Sequence, residues 1–380
     1  MDGAVESATA ATAAASHARA SAPPAPSGVA EGSPTPEAGR KNNSGIGERD
    51  AIAAMQEVLW KGGFTPDDVG YAVLGSVCIA INTDTLVQST DMPPGMTIRQ
   101  AARKSVTACI SDFAAKGIRP RFGTISVNMP EDTTRSDAID VAGGFADAAK
   151  AYNITIVAGD TNAGREFVFN VCMIGEQTAG HAVGRGGAAP GDLIFVTGPF
   201  GYTALGLKTL MKGGGHAPAE EGAAADKTVK RAIRAVLLPE VRPDFGERCA
   251  AHFTSSMDSS DGLASTLNEM ARQSRCEFEI DTIPATRQLA LHAEQNGMSL
   301  ERLVFYGGEE YETVFTAPPS KRRKIKAAAA SLRVPIIEIG TARNSSGSDE
   351  TEVSGPVYMQ KGDAGRVTIG DSGWEHFSAP

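Results

Sequence analysis

The stretch "MDSSDGLAST", residues 257–266, places Asp258 and Asp261 three residues apart with Gly262 directly behind them. Apolar residues then recur at the spacing of a helix: Leu263, Leu267 and Met270. A helix therefore begins here, and Asp and Ser are favoured at helix starts because their oxygens accept hydrogen bonds from free backbone N–H groups. The same two carboxylates could instead hold a metal ion. Taken alone the motif favours capping, and the rest of the chain has to decide.

Strands and helices alternate on both sides of this stretch. In the N-terminal half we predict a helix from Asp50 to Gly62–Gly63, a strand pair across Gly75–Ser76, a helix at about 97–116, a strand at 122–129, a helix at about 135–151, and strands at 154–160 and 166–176. In the C-terminal half we predict strands at 193–198, before Asp258, and at 277–281, 311–317 and 335–340, with helices from about 201, 262 and 319. This interleaving predicts an α/β or α+β fold.

Segments rich in Gly, Pro, Ala or Ser divide the chain. Residues 183–192, "VGRGGAAPGD", predict a link between two domains, at 47–183 and 184–380. Residues 1–46 predict a disordered arm without the apolar core of a secretory signal, and its acidic residues disfavour a transit peptide. Residues 212–227 predict a flexible surface insertion. We also predict no membrane contact, because no stretch approaches the apolar length of a membrane span.

The net charge and the cysteine content limit the classes of function that fit this sequence. The formal net charge of −9 offers no basic surface, which argues against nucleic acid and for a small-molecule partner. The five cysteines are far apart and lie mostly in apolar runs, which indicates reduced thiols and a cytoplasmic location. The chain has no CxxC pair, no HExxH and no His beside a candidate nucleophile, so zinc and triad chemistry lack support.

Carboxylates recur where a regular element is predicted to end in a small or hydroxyl residue. They are Asp67 and Asp68 before the first strand, "NTD" (Asn82 to Asp84) after the second strand, Asp112 on the long helix, Asp160 in "AGDTN" at a strand end, and Asp261. Any one of them fits an ordinary turn or a solvated acid. Together they predict a site for Mg²⁺, which in turn binds phosphates. No Walker lysine motif or dinucleotide fingerprint is present in the sequence.

An ordered set of motifs strengthens this interpretation. The motifs are "NTDTLVQSTD", "SDFAAKG", "AGDTN", "GRGGAAPGD", "DSSDGL", "GGEEYE" and "GWEHF". In this order, from about residue 47 to 378, they resemble the thiamine-monophosphate kinase family of the aminoimidazole-ribonucleotide-synthetase-like superfamily. The resemblance implies an N-terminal domain whose sheet pairs across a homodimer, a C-terminal α/β domain, and a cleft between them for ATP and several Mg²⁺ ions. It also implies thiamine monophosphate as the second substrate.

The resemblance also assigns roles to residues. It implies metal binding by seven residues: Asp68, Thr83, Asp84, Asp112, Asp160, Asp258 and Asp261. It implies nucleotide binding by Gly159, Asp160, Arg185 and Ser260, and contact with thiamine monophosphate by Asp91, Glu309 and Trp374. The residues implied to carry the chemistry are Asp84, Asp112, Asp258 and Arg185. In this family the attacking phosphate is already anionic, so no general base is required.

The sequence departs from the family at two points. Pro66 precedes the first acidic pair where the family usually has Gly, and Asp91 stands where the family has a substrate-contacting His. Alternatives within the superfamily lack their motifs here: the Cys and Lys of selenophosphate synthetase, the terminal Cys of the hydrogenase-maturation dehydratase, and the Gly-Thr-Lys segment of aminoimidazole-ribonucleotide synthetase. A nucleotide-binding scaffold without activity is the alternative from a different class.

Overall fold

The structure, a computed structural model, describes residues 47–60, 66–177, 183–213, 227–345, 356–360 and 365–371, which belong to one compact unit. The predicted arm (1–46) and most of the predicted insertion lie outside the described residues, as does the predicted helix end at Gly62–Gly63. Within the described part, the fold class is confirmed: two sheets are combined with helices in a mixed α/β arrangement.

The N-terminal half contains a five-stranded sheet in the order β1-β2-β5-β3-β4. Its strands are β1 Gly70–Leu74, β2 Val77–Val87, β3 Pro120–Pro130, β4 Thr155–Gly164 and β5 Val168–Gln177. Its helices are α1 Glu48–Trp60, α2 Gln88–Asp91, α3 Ile98–Ala115 and α4 Arg135–Tyr152. Strands β3 and β4 are parallel, and the other pairs are antiparallel.

Helices α3 and α4 begin where their sequences predict. Thr97 and Thr134 are the N-caps, and each forms a reciprocal capping box with the residue three positions on, Gln100 and Asp137. Helix α3 packs on β2 and β5, and Phe113 is buried in an apolar cluster built mainly from this half. The helices therefore cover one face of the sheet.

Among the described residues, the opposite face of this sheet is open. Ile81 on β2 and Phe122 on β3 are 37% and 50% exposed. Side chains alternate between the faces of a strand, so Ile81 lies on the same face as Thr83. A face that carries large exposed apolar side chains is typical of a protein–protein contact.

The C-terminal half contains a seven-stranded sheet in the order β12-β11-β8-β10-β6-β9-β7. Its strands are β6 Leu193–Val196, β7 Ser255–Ser259, β8 Cys276–Ile280, β9 Glu312–Ala317, β10 Ile337–Asn344, β11 Val357–Gln360 and β12 Arg366–Ile369. Its helices are α5 Tyr202–Lys212, α6 Lys227–Leu237, α7 Pro243–Cys249, α8 Leu263–Ser274, α9 Arg287–Gln295, α10 Leu300–Phe305 and α11 Arg322–Leu332. All strand pairs are antiparallel except β8 and β11.

Apolar clusters cover both faces of this second sheet. Val196 and Leu263 belong to one cluster, and Phe195 and Phe245 belong to the other. Neighbouring residues on β6 thus point to opposite sides, as the alternation of a strand requires. The second sheet is therefore packed on both faces, unlike the N-terminal sheet.

Helices α3 and α7 join the two halves through a close backbone contact. A Cβ atom added at Gly246 would lie 1.9 Å from the carbonyl oxygen of Ala114. No side chain fits at that distance, so only glycine allows this spacing between the two helices.

Three local predictions were wrong. Asn82 to Asp84 lie inside β2, because its ladder with β5 continues to Val87. Asp160 lies inside β4, which pairs with β3 as far as Gly164. The acids of 257–266 do not cap α8, because its N-cap is Gly262 and makes no side-chain capping hydrogen bond.

The predicted link at 183–192 is a packed connection. Ser256 N donates to the carbonyl oxygen of Gly184 at 3.0 Å. Gly187 has φ of 121°, and a Cβ atom there would lie 2.5 Å from the carbonyl oxygen of Thr254. The link therefore holds Arg185 in a fixed place against β7.

Candidate active site

Three carboxylates from distant parts of the chain converge beside β7. Asp68 precedes β1, Asp112 lies on α3 and Asp258 lies on β7, and each offers an oxygen within 4.8 Å of the others. The sequence predicted all three as metal ligands. We call Asp68, Asp112 and Asp258 the acidic cluster.

Two cations contact the acidic cluster. Arg185 Nε lies 2.5 Å from Asp68 Oδ1. Lys116 Nζ lies 2.6 Å from Asp67 Oδ1 and 3.0 Å from Asp68 Oδ2, and it donates to the carbonyl oxygen of Ser256 at 2.6 Å. The side chain of Lys116 is wholly buried. Sequence reasoning missed Lys116; the available signal was a lysine next to the apolar end of a predicted buried helix.

The cluster holds carboxylates that resist ionisation. Burial and the charge of Asp68 raise the pKa of Asp258 to about 7, although Arg185 opposes the rise. Burial, followed by the charges of Asp258 and Asp68, raises the pKa of Asp112 well above its usual range. A bound cation or proton offsets such repulsion.

The donor set fits a hard divalent cation. All three side chains offer carboxylate oxygens, which Mg²⁺ prefers. Asp68 Oδ2 is buried and receives no hydrogen bond from the residues that the structure describes, despite the nearby Lys116 ammonium. An oxygen of this kind has a lone pair available for a metal ion.

Strand β2 brings further polar groups to the cluster. Asn82 Nδ2 donates to Asp112 Oδ2. The charge of Asp84 helps to raise the pKa of Asp112, after the larger effects of burial, Asp258 and Asp68. Asn82 and Asp84 share a face of β2, whereas Thr83 points to the other face. Asp84 therefore lies on the face of β2 that is directed toward the acidic cluster. Asn82 is a contact that the sequence analysis did not assign to the site.

Thr83, Gly159 and Asp160 lie together elsewhere. They line a cavity of about 420 Å³ on the open face of the N-terminal sheet, together with Ser126 and Asn170. The structure does not bring Thr83 and Asp160 into the three-carboxylate group among the described residues. Their assignment as metal ligands stays a prediction.

The segment before β9 has an unusual backbone. Glu309 and Tyr311 have φ values of 63° and 52°, in the left-handed region that side chains other than glycine rarely adopt. Glu309 N donates to the carbonyl oxygen of Ser260 at 2.6 Å, and Tyr311 N donates to that of Ser259 at 3.0 Å. Backbone of this kind is concentrated at functional sites. Ser260 and the exposed Asp261 thus lie beside Glu309.

The predicted substrate contacts Asp91 and Glu309 share one partner. Lys104, on α3, forms an ion pair with Glu309 Oε1 and donates to the carbonyl oxygen of Asp91 at 3.1 Å. The carboxylate of Asp91 accepts a hydrogen bond from Val87 N at 2.7 Å. Lys104 was missed because one lysine in a helix is normally read as surface charge. Trp374 lies outside the described residues.

Glu310 is a buried carboxyl next to this segment. Its Oε1 accepts hydrogen bonds from Thr203 Oγ1 at 2.5 Å and Gly201 N at 3.2 Å, and its Oε2 has no partner among the described residues. Burial raises the pKa of Glu310 to about 8, although these hydrogen bonds oppose the rise.

Glu310→Gln is expected to stabilise the protein increasingly as pH rises. A carboxyl with a raised folded-state pKa makes its stabilising contribution at low pH, and this is lost between the ordinary value of 4.5 and about 8. The neutral amide has no such loss. Urea unfolding at about pH 5 and about pH 9 measures the difference. The control is Glu294→Gln on exposed α9, and an equal gain at both pH values for Glu310→Gln would contradict the prediction.

Comparisons with known protein families agree on both halves. Residues 66–177 match the family model of AIR synthase related protein, N-terminal domain, and residues 189–351 match that of the C-terminal domain. These matches fall within the two predicted domains, whose boundaries remain predictions.

Curated relatives of this chain carry the name thiamine-monophosphate kinase. The chain is 45% identical to thiamine-monophosphate kinase of Nitrosopumilus maritimus, over 88% of this chain and 99% of the relative. It is 31% identical to thiamine-monophosphate kinase of Escherichia coli K12, over 80% of this chain and 87% of the relative.

Solved structures agree with the relatives. AaThiL complexed with AMPPCP and TMP superimposes with a TM-score of 0.72 at 26% identity, covering 87% of this chain and 97% of that chain. A hydrogenase maturation protein HypE in complex with ATP has the same fold, with a TM-score of 0.61 at 21% identity. No helix in the described part of the chain has the length and apolar character needed to span a membrane.

Proposed function

The chain belongs to the thiamine-monophosphate kinase family, and we propose that it transfers the γ-phosphoryl group of ATP to the phosphate of thiamine monophosphate, forming thiamine diphosphate. The observation that carries the proposal is the acidic cluster with Arg185 beside it, built from both halves of the chain. The complex of AaThiL with AMPPCP, an ATP analogue, and TMP supports both substrates.

The chemistry of this reaction fits the residues present. The acceptor phosphate is anionic at neutral pH, so it needs no general base to become a nucleophile. The obstacle is repulsion between two phosphates that must be held in line. The guanidinium of Arg185 is fixed by Asp68 at 2.5 Å, and a fixed cation can stabilise the charge of a transferring phosphoryl group.

We propose that Mg²⁺ is held by Asp68, Asp112 and Asp258, with Asp84 close by. The ion would neutralise negative charge on the phosphates and orient them for phosphoryl transfer. Support comes from the oxygen donor set, the buried Asp68 Oδ2 that receives no hydrogen bond from the described residues, and the raised pKa of Asp258. Thr83, Asp160 and Asp261 are proposed as ligands of further ions on the strength of the motifs they share with the family.

The remaining binding roles are proposals of the same kind. Gly159, Asp160, Arg185 and Ser260 are proposed to contact the nucleotide. These assignments rest on the motifs that the residues share with the family. Asp91, Glu309 and Trp374 are proposed to contact thiamine monophosphate; the bond from Lys104 to both Asp91 and Glu309 supports a common location for the first two.

A direct assay tests the function. Purified protein is incubated with ATP, Mg²⁺ and thiamine monophosphate, and thiamine diphosphate and ADP are quantified by chromatography. The matched control replaces thiamine monophosphate by thiamine, which lacks the acceptor phosphate. Equal amounts of the two products that depend on thiamine monophosphate support the proposal. ADP without thiamine diphosphate, or no turnover, contradicts it.

We also propose a homodimer that pairs through the open face of the N-terminal sheet. The exposed Ile81 and Phe122 on that face support it. Phe122→Arg is expected to halve the mass found by analytical ultracentrifugation, because a charge buried in an interface is costly. Exposed Met211, on α5 in the other half, gives the control Met211→Arg. A monomeric wild type, or a Phe122→Arg variant of unchanged mass, would contradict this interface.

A further inference from the structure

We propose that Lys104 is a positioning residue for the acceptor substrate. Its ammonium holds the carboxylate of Glu309 next to Asp91, the last residue of α2. Lys104 thereby orients the Glu309 carboxylate toward thiamine monophosphate. The inference rests on the proposed function and deepens it, since it concerns recognition of the acceptor alone.

The contacts of Lys104 bridge the two halves of the chain. Lys104 is 1% exposed, and Nζ donates to the carbonyl oxygen of Asp91 at 3.1 Å while it pairs with Glu309 Oε1. Asp91 ends α2 in the N-terminal half, whereas Glu309 precedes β9 in the C-terminal half. A buried ammonium is costly unless it is paired and hydrogen-bonded, so these contacts are held firmly.

The carboxylate of Glu309 is accessible to a ligand and is held in one orientation. Its side chain is 34% exposed, so a molecule in solution can reach it. Its backbone has φ of 63° and is tied to Ser260 by the hydrogen bond from Glu309 N. The ion pair uses Oε1 of the carboxylate. Oε2 is therefore the oxygen that can accept a hydrogen bond from a ligand, and Lys104 determines its direction.

Electrostatics explains why this position requires a cation. The pKa of the buried Tyr311 hydroxyl is raised well above its usual range by burial and then by four carboxylates: Glu309, Asp84, Asp258 and Asp91. These four carboxylates therefore lie within electrostatic range of the same hydroxyl. Without Lys104 the Glu309 carboxylate would face the others uncompensated and turn toward water, because like charges at short range repel.

Lys104→Met tests the proposal. Methionine has a similar length without the charge and suits a buried site. The KM for thiamine monophosphate is expected to rise by about tenfold, while the KM for ATP changes by less than about twofold. Binding of thiamine monophosphate in the presence of a non-hydrolysable ATP analogue, measured by calorimetry, should weaken by about the same factor.

A double-mutant cycle separates positioning from a structural role. Glu309→Gln is expected to raise the KM for thiamine monophosphate, and Lys104→Met combined with Glu309→Gln should be no worse than the weaker-binding single variant. The control cycle uses Arg99→Met and Asp147→Asn, which remove an exposed ion pair at 2.8 Å between α3, the helix of Lys104, and α4. Neither control variant should change either KM.

The outcomes distinguish this proposal from the proposed function. Wild-type protein that does not bind thiamine monophosphate overturns both. Wild-type binding together with unchanged binding in Lys104→Met overturns only the role of Lys104, as do equal rises in both KM values or additive effects in the cycle. If Lys104→Met does not fold, an unchanged acceptor KM in Glu309→Gln overturns the proposal.

Discussion

Asp258→Asn is expected to lower turnover by roughly two to three orders of magnitude while the protein remains folded. A carboxylate oxygen of Asp258 lies within 4.8 Å of oxygens of Asp68 and Asp112. Asp258 is the member of the acidic cluster that lies on β7. A neutral amide binds Mg²⁺ more weakly than a carboxylate does, and it does not offset the positive charge of the ion. The measurement is turnover at saturating ATP and thiamine monophosphate over a range of Mg²⁺ concentrations.

A buried aspartate outside the cluster provides the control. Asp192 is 5% exposed and accepts hydrogen bonds from Ala189 N and Thr254 Oγ1. Asp192→Asn is expected to change stability without changing the dependence on Mg²⁺. Near-normal turnover of Asp258→Asn, or full wild-type activity in excess chelator, would exclude the metal role of the cluster.

Lys116→Met is expected to lower the free energy of unfolding by about 3–5 kcal/mol, which is typical when one partner of a buried ion pair is removed. The ammonium contacts Asp67 at 2.6 Å and Asp68 at 3.0 Å, and the Asp68 side chain is wholly buried. Its removal also leaves the carbonyl oxygen of Ser256 without this donor. Urea unfolding without Mg²⁺ measures the loss, because a bound cation would replace part of the missing charge.

An exposed lysine in an ion pair is the matched control. Lys326 is 47% exposed and lies 3.4 Å from Glu338 Oε2. Lys326→Met should cost less than about 1 kcal/mol, as surface pairs usually do. A loss of similar size in both variants would show that burial of Lys116 adds nothing to its pairing.

The sequence predicted regular elements well where local signals agree with packing. Helix α3 was predicted at about 97–116 and runs from Ile98 to Ala115, because Thr97 caps it and its apolar positions face the sheet. The predicted end of β2 was too early, because the three consecutive polar residues from Asn82 to Asp84 are typical of a loop. Their polar groups are accommodated by Asp112 and by the open face, and so the ladder continues. Local polarity alone does not reveal such partners.

The carboxylates of the site and Arg185 were predictable, but the two buried lysines were not. Asp112 and Asp258 stand in motifs that the family shares, and Asp68 belongs to the acidic pair before the first strand. Lys104 and Lys116 occupy ordinary positions on or beside a helix, and their partners Glu309 and Ser256 follow more than a hundred residues later. Side-chain pairing over such separations depends on how the two halves pack, which periodicity along one helix does not record.

The contact of Gly246 with Ala114 has a consequence for evolutionary divergence in the family. Because a Cβ atom at position 246 would lie 1.9 Å from a carbonyl oxygen, any larger residue forces helices α3 and α7 apart. Helix α3 also carries Asp112, so such a substitution would shift one wall of the acidic cluster relative to β7. The residue at this position should therefore track the spacing of the two halves among relatives, and their measured α3–α7 distances can be compared directly with it.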